Sequence, residues 1–273
     1  MRVGLIGCGR VGVTLLYRLR NNNQVIGVYD IHKQKEKDAA KVLGITNNPS
    51  YKELIRKSNA LFLGTPDHAI LAAYKKAKPY IKGKKYVFHF SGLLPAQVLP
   101  EKKNLYRAST HPFATFPKIT VPPHRKYIMS IQGDAAAVRC ARKIFGPKYF
   151  TLKNIKKEQK VLYHLIGVFS SNLLVGLISS IYELAEKLNW EEKDMDHLVF
   201  PIIEETFNNI KKHSLKNALS GPLQRGDVAV IKTHLRALRK DKTLSEIYKA
   251  LSRALLEYVM NDKANTQVKK ILR

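Results

Sequence analysis

The sequence predicts an α/β chain in two parts: a mostly parallel sheet with helices on both faces over residues 1–152, then an all-α region over residues 153–273. Three observations predict it. Short β-branched runs alternate with amphipathic segments in the first part, the rhythm that parallel crossovers impose. A glycine-rich turn, Gly7-Cys8-Gly9-Arg10-Val11-Gly12, stands where the first run gives way to the first amphipathic segment. After residue 152 the strand patterns stop and only helical periods remain.

Residues 2–6 read as a strand, and 10–19 as a helix with Val11, Leu15 and Leu19 on one face. A strand over 24–30 and a helix over 33–43 follow. A short helix over 51–57 leads into a buried strand, 60–64. A helix over 69–77 and a strand over 86–90 come next. Segments 105–109, 127–131 and 148–152 carry further strand patterns. Between the first two lies His111-Pro112-Phe113-Ala114-Thr115-Phe116-Pro117, running on to Pro122-Pro123. Its prolines and aromatics suit a packed loop over a pocket. The second part shows long helical patterns near 155–187, 191–211, 227–239 and 244–260.

A chain of 273 residues holds one large domain or two ordinary ones, with enough core to need no disulfide or structural metal. Apolar residues at 45% and charged residues at 25% exclude wholesale disorder. Two cysteines, Cys8 and Cys140, exclude a disulfide framework and a cysteine-rich zinc site, and no metal centre is expected. The balance of 48 basic against 21 acidic residues gives +27, and +20 of it falls within residues 1–152. Such a field favours anionic ligands, although lysines at helix ends and turns also decorate ordinary solvated surfaces. No RNA-recognition motif, zinc finger, helix-turn-helix or aromatic-interleaved basic run is present, which argues against nucleic acid as the partner.

Residues 161–182 carry no formal charge for 22 residues, long enough to span a bilayer. They include His164, Ser170, Ser171, Asn172, Ser179 and Ser180, which would be costly against lipid. A helix buried inside protein is therefore expected, with no membrane association. No secretory signal is visible, since the first apolar run breaks at glycines, and a cytoplasmic location is expected.

The turn at residues 7–12 fits G-x-G-x-x-G between a predicted strand and a predicted helix, the context in which the pattern has a mechanism. Gly7 permits the tight turn, Gly9 lets the backbone approach a pyrophosphate, and Gly12 lets helix and strand pack closely. Cys8, Arg10 and Val11 complete the loop, and the helix N-terminus offers free N–H groups to the anion. Asp30 ends the second strand, 23 residues after Gly7, where a carboxylate accepts hydrogen bonds from an adenosine ribose. It argues for NAD, because it repels a 2′-phosphate. His32, Lys33 and Lys35 beside Ile31 argue for NADP, as does the basic first half. The cofactor is read as NADP or NAD, leaning to NADP.

Two further strand ends face the same way. Thr65-Pro66-Asp67-His68 and Ser91-Gly92 are both expected beside the dinucleotide, although Thr65 or Asp67 would also serve as a helix N-cap.

In order, the segments 7–12, Thr65-Pro66-Asp67, His89-Phe90-Ser91-Gly92, His111–Pro117, Tyr163-His164, Ser171-Asn172 and Gly221-Pro222-Leu223-Gln224-Arg225-Gly226-Asp227 span nearly the whole chain. In them the sequence resembles the Rossmann-like family that carries a helical domain of unknown function 2520. More distantly it is similar to pyrroline-5-carboxylate reductase, prephenate dehydrogenase and the β-hydroxyacid dehydrogenases. The resemblance implies an N-terminal Rossmann domain, 1–152, and an all-α domain of the 6-phosphogluconate dehydrogenase C-terminal-like type, 153–273, for substrate and dimerisation. It also implies NAD(P) binding, hydride transfer to or from a small substrate lying between the domains, and a homodimer formed through the helices. In the β-hydroxyacid dehydrogenases a catalytic lysine stands four residues before the asparagine that Asn172 matches. Position 168 here is Val168, so that lysine-dependent chemistry does not carry over.

A nicotinamide enzyme leaves the hydride to its cofactor, and the protein positions the substrate and handles a proton. His164 and His111 are the candidates for the proton, as the side chains that titrate nearest neutrality. Seven residues return to nearly the same helix face, so His164, Ser171 and Asn172 are expected to share a polar stripe, with helix packing as its alternative use. Ser91 and Thr115 offer hydroxyls to substrate. Arg225 offers a bidentate grip on a carboxylate or phosphate, or a salt bridge to Asp227. The expected substrate is a small anionic keto, hydroxy or imino acid; a catalytically silent NAD(P)-binding regulatory protein is the alternative.

Overall fold

The computed structural model describes residues 1–119, 126–260 and 266–273; Pro122 and Pro123 lie outside the described residues. The chain divides into two compact units, Met1–Ser171 and Asn172–Arg273.

The first unit holds a seven-stranded sheet in the order β2-β1-β3-β4-β5-β6-β7. Its strands are β1 Arg2–Ile6, β2 Gln24–Tyr29, β3 Ala60–Leu63, β4 Lys85–His89, β5 Leu105–Pro112, β6 Tyr127–Gly133 and β7 Phe150–Asn154. Every pairing is parallel except β5 with β6. Helices α1 Arg10–Leu19, α2 Lys33–Leu43, α3 Tyr51–Lys57 and α4 Asp67–Ala77 lie where the periodicity places them, within two residues.

A fifth helix, α5 Ala135–Phe145, was not among the expected elements, although Ala137, Cys140, Ala141 and Ile144 bury one face at helical spacing. Two apolar cores cover the sheet. One gathers Leu15, Leu16 and Leu19 of α1 with Ile144 and Phe145 of α5 around Phe62 and Phe88. The other sets Leu54 and Ile55 of α3 and Ile70 and Tyr74 of α4 against Leu61, Leu63 and Val87. Burial of each such side chain contributes roughly 1.5–3 kcal/mol. Together they fix the common edge where β1, β3, β4 and β5 end.

Residues 153–171 were expected in the helical domain, but they belong to the first unit. The reason is α6, Lys160–Ser170, whose Lys160 and Tyr163 hydrogen-bond to residues at the ends of β4 and β5.

The second unit is all helical among its described residues. It runs α7 Asn172–Glu186, α8 Glu192–Asp194, a wide turn at Met195–Val199, α9 Phe200–His213, α10 Leu215–Ala218, α11 Pro222–Arg225, α12 Val228–Ala237, α13 Lys242–Tyr258 and α14 Thr266–Ile271. Asp227 and Asp241 cap α12 and α13 by accepting from the amides of Val230 and Leu244. Its cores are small, one of Ile231, Leu256, Val268 and Leu272, the other of Ala185, Met195 and Val199.

The stretch 161–182 corrects the sequence reading twice. It is two helices parted at Ser171, where φ −132° and ψ −74° leave the helical region. Nor is it buried: Leu162, Ile166 and Phe169 of α6 are 67%, 58% and 66% exposed, and Leu173 and Val175 of α7 are 50% and 68% exposed. Lys160, Tyr163 and His164 of α6 face the first unit, while Leu162, Ile166 and Phe169 are left exposed. By length and composition alone the run Lys157–Glu186 could cross a membrane, but it contains the fully buried Lys160 and the break at Ser171.

Candidate functional site

The glycine turn behaves as its residue types require. Gly7 has φ +92°, where a side chain is strained, and a Cβ there would stand 2.7 Å from the Thr65 amide nitrogen. A Cβ on Gly9 would come within 3.0 Å of the Gly64 carbonyl oxygen, and one on Gly12 within 3.0 Å of Leu5. Gly9 is the N-cap of α1 and supplies no capping side chain, so the first amides of the helix stay available to an anion. Asp30 braces the turn: one carboxylate oxygen accepts the Cys8 amide at 2.7 Å, the other the His32 amide at 2.9 Å.

Beside this turn lies a cavity of about 520 Å³. Of the expected cofactor residues, Gly7, Gly9, Asp30, Ile31, Thr65 and Pro66 line it. Among the described residues, Thr65 Oγ1 is buried there with no hydrogen-bond partner. A glycine cradle with free helix amides and a spare hydroxyl donor suits a pyrophosphate and ribose.

The wall also includes Tyr29, His32, Lys35, Tyr51 and Lys76. Lys76 Nζ donates to the Tyr29 hydroxyl at 3.1 Å and lies 5.2 Å from the centres of both tyrosine rings. Lys33 is instead drawn to Glu36 at 3.2 Å. The remaining loop residues act indirectly. Arg10 Nη1 donates to the Pro117 carbonyl at 2.7 Å, which ties the proline-rich loop to α1. Val11 packs against the core. Burial, then the carboxylates of Asp30 and Glu36, push the Cys8 thiol up to about 12, so it is no nucleophile.

A polar cluster occupies the ends of β4 and β5. Ser109 and His111 alternate onto one side of β5, while Lys160, Tyr163 and His164 share one face of α6 at i, i+3, i+4 spacing. Gly92, between them, is walled by both histidines: a Cβ there would stand 2.7 Å from His164 Cδ2 and 3.0 Å from His111 Nε2. The Ser91 hydroxyl donates to Asp67 at 2.6 Å and accepts the amides of Leu93 and Leu94. Asp67 thus turns away from its expected place on the cofactor wall. Nor does it cap α4, whose N-cap is Pro66. Tyr163 OH lies 3.2 Å from His111 Nδ1.

Burial, then the charge of Lys160, then His164 lower His111 to about 4. Burial, then Lys160, lower His89 to about 3. Burial lowers Lys160 to about 8, opposed by Asp67.

Of the expected catalytic residues, His111, His164 and Ser91 are therefore brought together. Thr115 is exposed on the proline-rich loop. Ser171 closes α6, and Asn172 and Arg225 are exposed in the second unit, so the expected stripe is no continuous helix face. The sequence reading missed Ser109, Lys160 and Tyr163. One helical turn counted back from His164 reaches Lys160, and a two-residue step back from His111 reaches Ser109.

Residues 1–88 match the family model described as oxidoreductase family, NAD-binding Rossmann fold. Residues 127–255 match that of a domain of unknown function, DUF2520. Among curated proteins, an uncharacterized 28.5 kDa protein in 7S RNA 5′region of Methanothermus fervidus is 31% identical over 83 residues. That alignment spans 30% of this chain and only 33% of the relative.

Among solved structures, protein BF3122 of Bacteroides fragilis, proposed to be an NADP oxidoreductase, aligns with a TM-score of 0.78 and 22% identity over 94% of this chain and 98% of that one. Protein TM1727 of Thermotoga maritima aligns at 0.68 and 21% over 99% and 100%. The pyrroline carboxylate reductase of Plasmodium falciparum, solved with NADP bound, aligns at 0.60 and 18% over 93% and 97%. At these identities the likeness is one of fold.

Proposed function

We propose, for a chain that joins an NAD-binding Rossmann domain of the oxidoreductase family to a DUF2520 domain, the function of an NAD(P)-dependent dehydrogenase or reductase acting on a small anionic keto, hydroxy or imino acid. The observation that carries this reading is the Ser91–Asp67 hydrogen bond, which sets the histidine-lined turn at Gly92 beside the Thr65-Pro66 wall of the cavity that the glycine turn also lines. When bound, the nicotinamide supplies or accepts the hydride.

The residues of the chain do the rest. Gly7, Gly9 and the α1 amides hold the pyrophosphate, and Asp30 fixes the loop beside the ribose. His164 exchanges the substrate proton over Gly92. His111, uncharged at neutral pH, fixes the substrate by hydrogen bonding.

NADP is the proposed cofactor, because both Asp30 oxygens already accept amides while Lys35 and Lys76 line the same cavity as Gly7 and Gly9. The protein is a homodimer in this reading. The exposed apolar sides of α6 and of α7 are surfaces that a second copy would cover. Its proposed location is the cytoplasm.

Fluorescence titration with NADPH and NADH, followed by turnover assays on keto acids and cyclic imines, tests the proposal. Saturable binding with turnover of one substrate class is expected. Binding without turnover on any of them would favour a catalytically silent regulatory protein, and absence of binding would remove the proposal.

A further inference from the structure

Lys160 is 1% exposed, an unusual fate for a lysine, and every atom that receives its charge belongs to the polar cluster. Its Nζ donates to Ser109 Oγ at 2.7 Å and to the Ser91 carbonyl at 3.1 Å, and Ser109 Oγ donates in turn to that same carbonyl at 2.9 Å. One ammonium therefore joins α6, β5 and the turn that ends β4. Ser109 and Ser91 already satisfy each other, so the fold does not need the lysine to fill their hydrogen bonds. An apolar side chain of similar volume would avoid the desolvation cost of a buried charge.

We infer that Lys160 is a positioning residue, whose buried ammonium pins the Ser91–Gly92 turn to α6 and sets a fixed positive charge beside His111. This inference rests on the proposed function for its consequence, but its geometry stands without it.

The groups around that charge come from four elements: Asp67 at the head of α4, His89 on β4, His111 on β5, and Tyr163 and His164 on α6. Asp67 is the one acid among them, and it is engaged by Ser91. Burial comes first in holding His111 uncharged, and the ammonium adds to it by raising the cost of a second positive charge there. Lys160 does this without touching substrate.

The test uses the full chain as wild type, Lys160→Met, Lys160→Gln and Lys160→Arg. Histidine ring resonances are followed by NMR against pH, with His111→Asn identifying the His111 signal. Loss of the charge in Lys160→Met is expected to raise the His111 midpoint, which burial still holds below 6.5. Lys160→Arg keeps the charge and should keep the midpoint low. Lys160→Gln retains a donor without the charge and serves if the methionine variant does not fold.

Where a substrate is turned over, the acid limb of kcat/KM should move with the midpoint in Lys160→Met while KM for the coenzyme holds. An unmoved midpoint in both uncharged variants, or an equal rise in Lys160→Arg, overturns the inference. Because coenzyme titration of the wild type reports separately on the proposed function, the two failures are distinguishable.

Discussion

The Ser91 hydroxyl donates to the Asp67 carboxylate across 2.6 Å, which links the head of α4, next to the Thr65-Pro66 wall of the cavity, to the turn that carries Gly92. A hydrogen bond to a charged acceptor contributes about 1.5–3 kcal/mol. In Ser91→Ala the turn loses this tie and the bonds to the amides of Leu93 and Leu94. Turnover is expected to drop at least about tenfold while coenzyme affinity stays within about twofold, as 1.4 kcal/mol is a factor of ten. Equal turnover in the variant would show that the tie has no part in catalysis.

Gly9→Val places a branched side chain where even a Cβ meets the Gly64 carbonyl at 3.0 Å. Gly9 has φ −71°, so the backbone itself tolerates the change. Calorimetry should show coenzyme affinity falling more than about tenfold, a loss of over 1.4 kcal/mol. The melting temperature should fall as well, since the Gly64 carbonyl is backbone and must give. Unchanged affinity would take the pyrophosphate away from this turn.

His164→Ala removes the ring nearest Gly92 and leaves the cavity wall untouched. Turnover should fall about 100-fold, within the usual contribution of a positioned acid or base. Coenzyme binding should persist. A fully active variant would pass the proton role to another group.

Legibility in the sequence followed the range of the interactions. The strands and α1 to α4 were readable because each is set by local period and by turn residues, as with Arg2–Ile6 and Arg10–Leu19. The glycine turn was readable as a turn because it is fixed locally, with Gly7 at φ +92°. Lys160 was not, because its use depends on Ser109 and on the Ser91 carbonyl, 51 and 69 positions away in the chain. The 161–182 stretch misled for a related reason: apolar composition does not say which of its residues the fold buries, and Leu162, Ile166 and Phe169 stay exposed.

Lys35 and Lys76 line the same cavity as Gly7 and Gly9. If a 2′-phosphate lies there, the double variant Lys35→Met/Lys76→Met should bind NADPH at least about tenfold more weakly, on the scale of one charge-assisted hydrogen bond. NADH affinity should change less than about twofold. Added salt should weaken NADPH binding to the wild type more than NADH binding, since it screens the exposed part of the attraction. Parallel losses for both coenzymes would assign Lys76 to packing against Tyr29 and Tyr51 instead.

The buried imidazoles also tie stability to pH. His111 falls from 6.5 to about 4 on folding, and His89 from 6.5 to about 3. Between those values and 6.5 the unfolded chain holds more protons than the folded one, so stability drops as pH falls through this window and is recovered above it. At 1.36 kcal/mol per unit, His111 alone accounts for about 3 kcal/mol.

Lys160 falls from 10.5 to about 8, which likewise puts more protons on the unfolded chain there, so stability rises again as pH climbs from 8 toward 10.5. Urea unfolding from pH 4 to 7 should show the acid loss in the wild type and a shallower one in His111→Asn. Identical slopes would mean that His111 titrates alike in the folded and unfolded chain, and that the charge of Lys160 does not reach it.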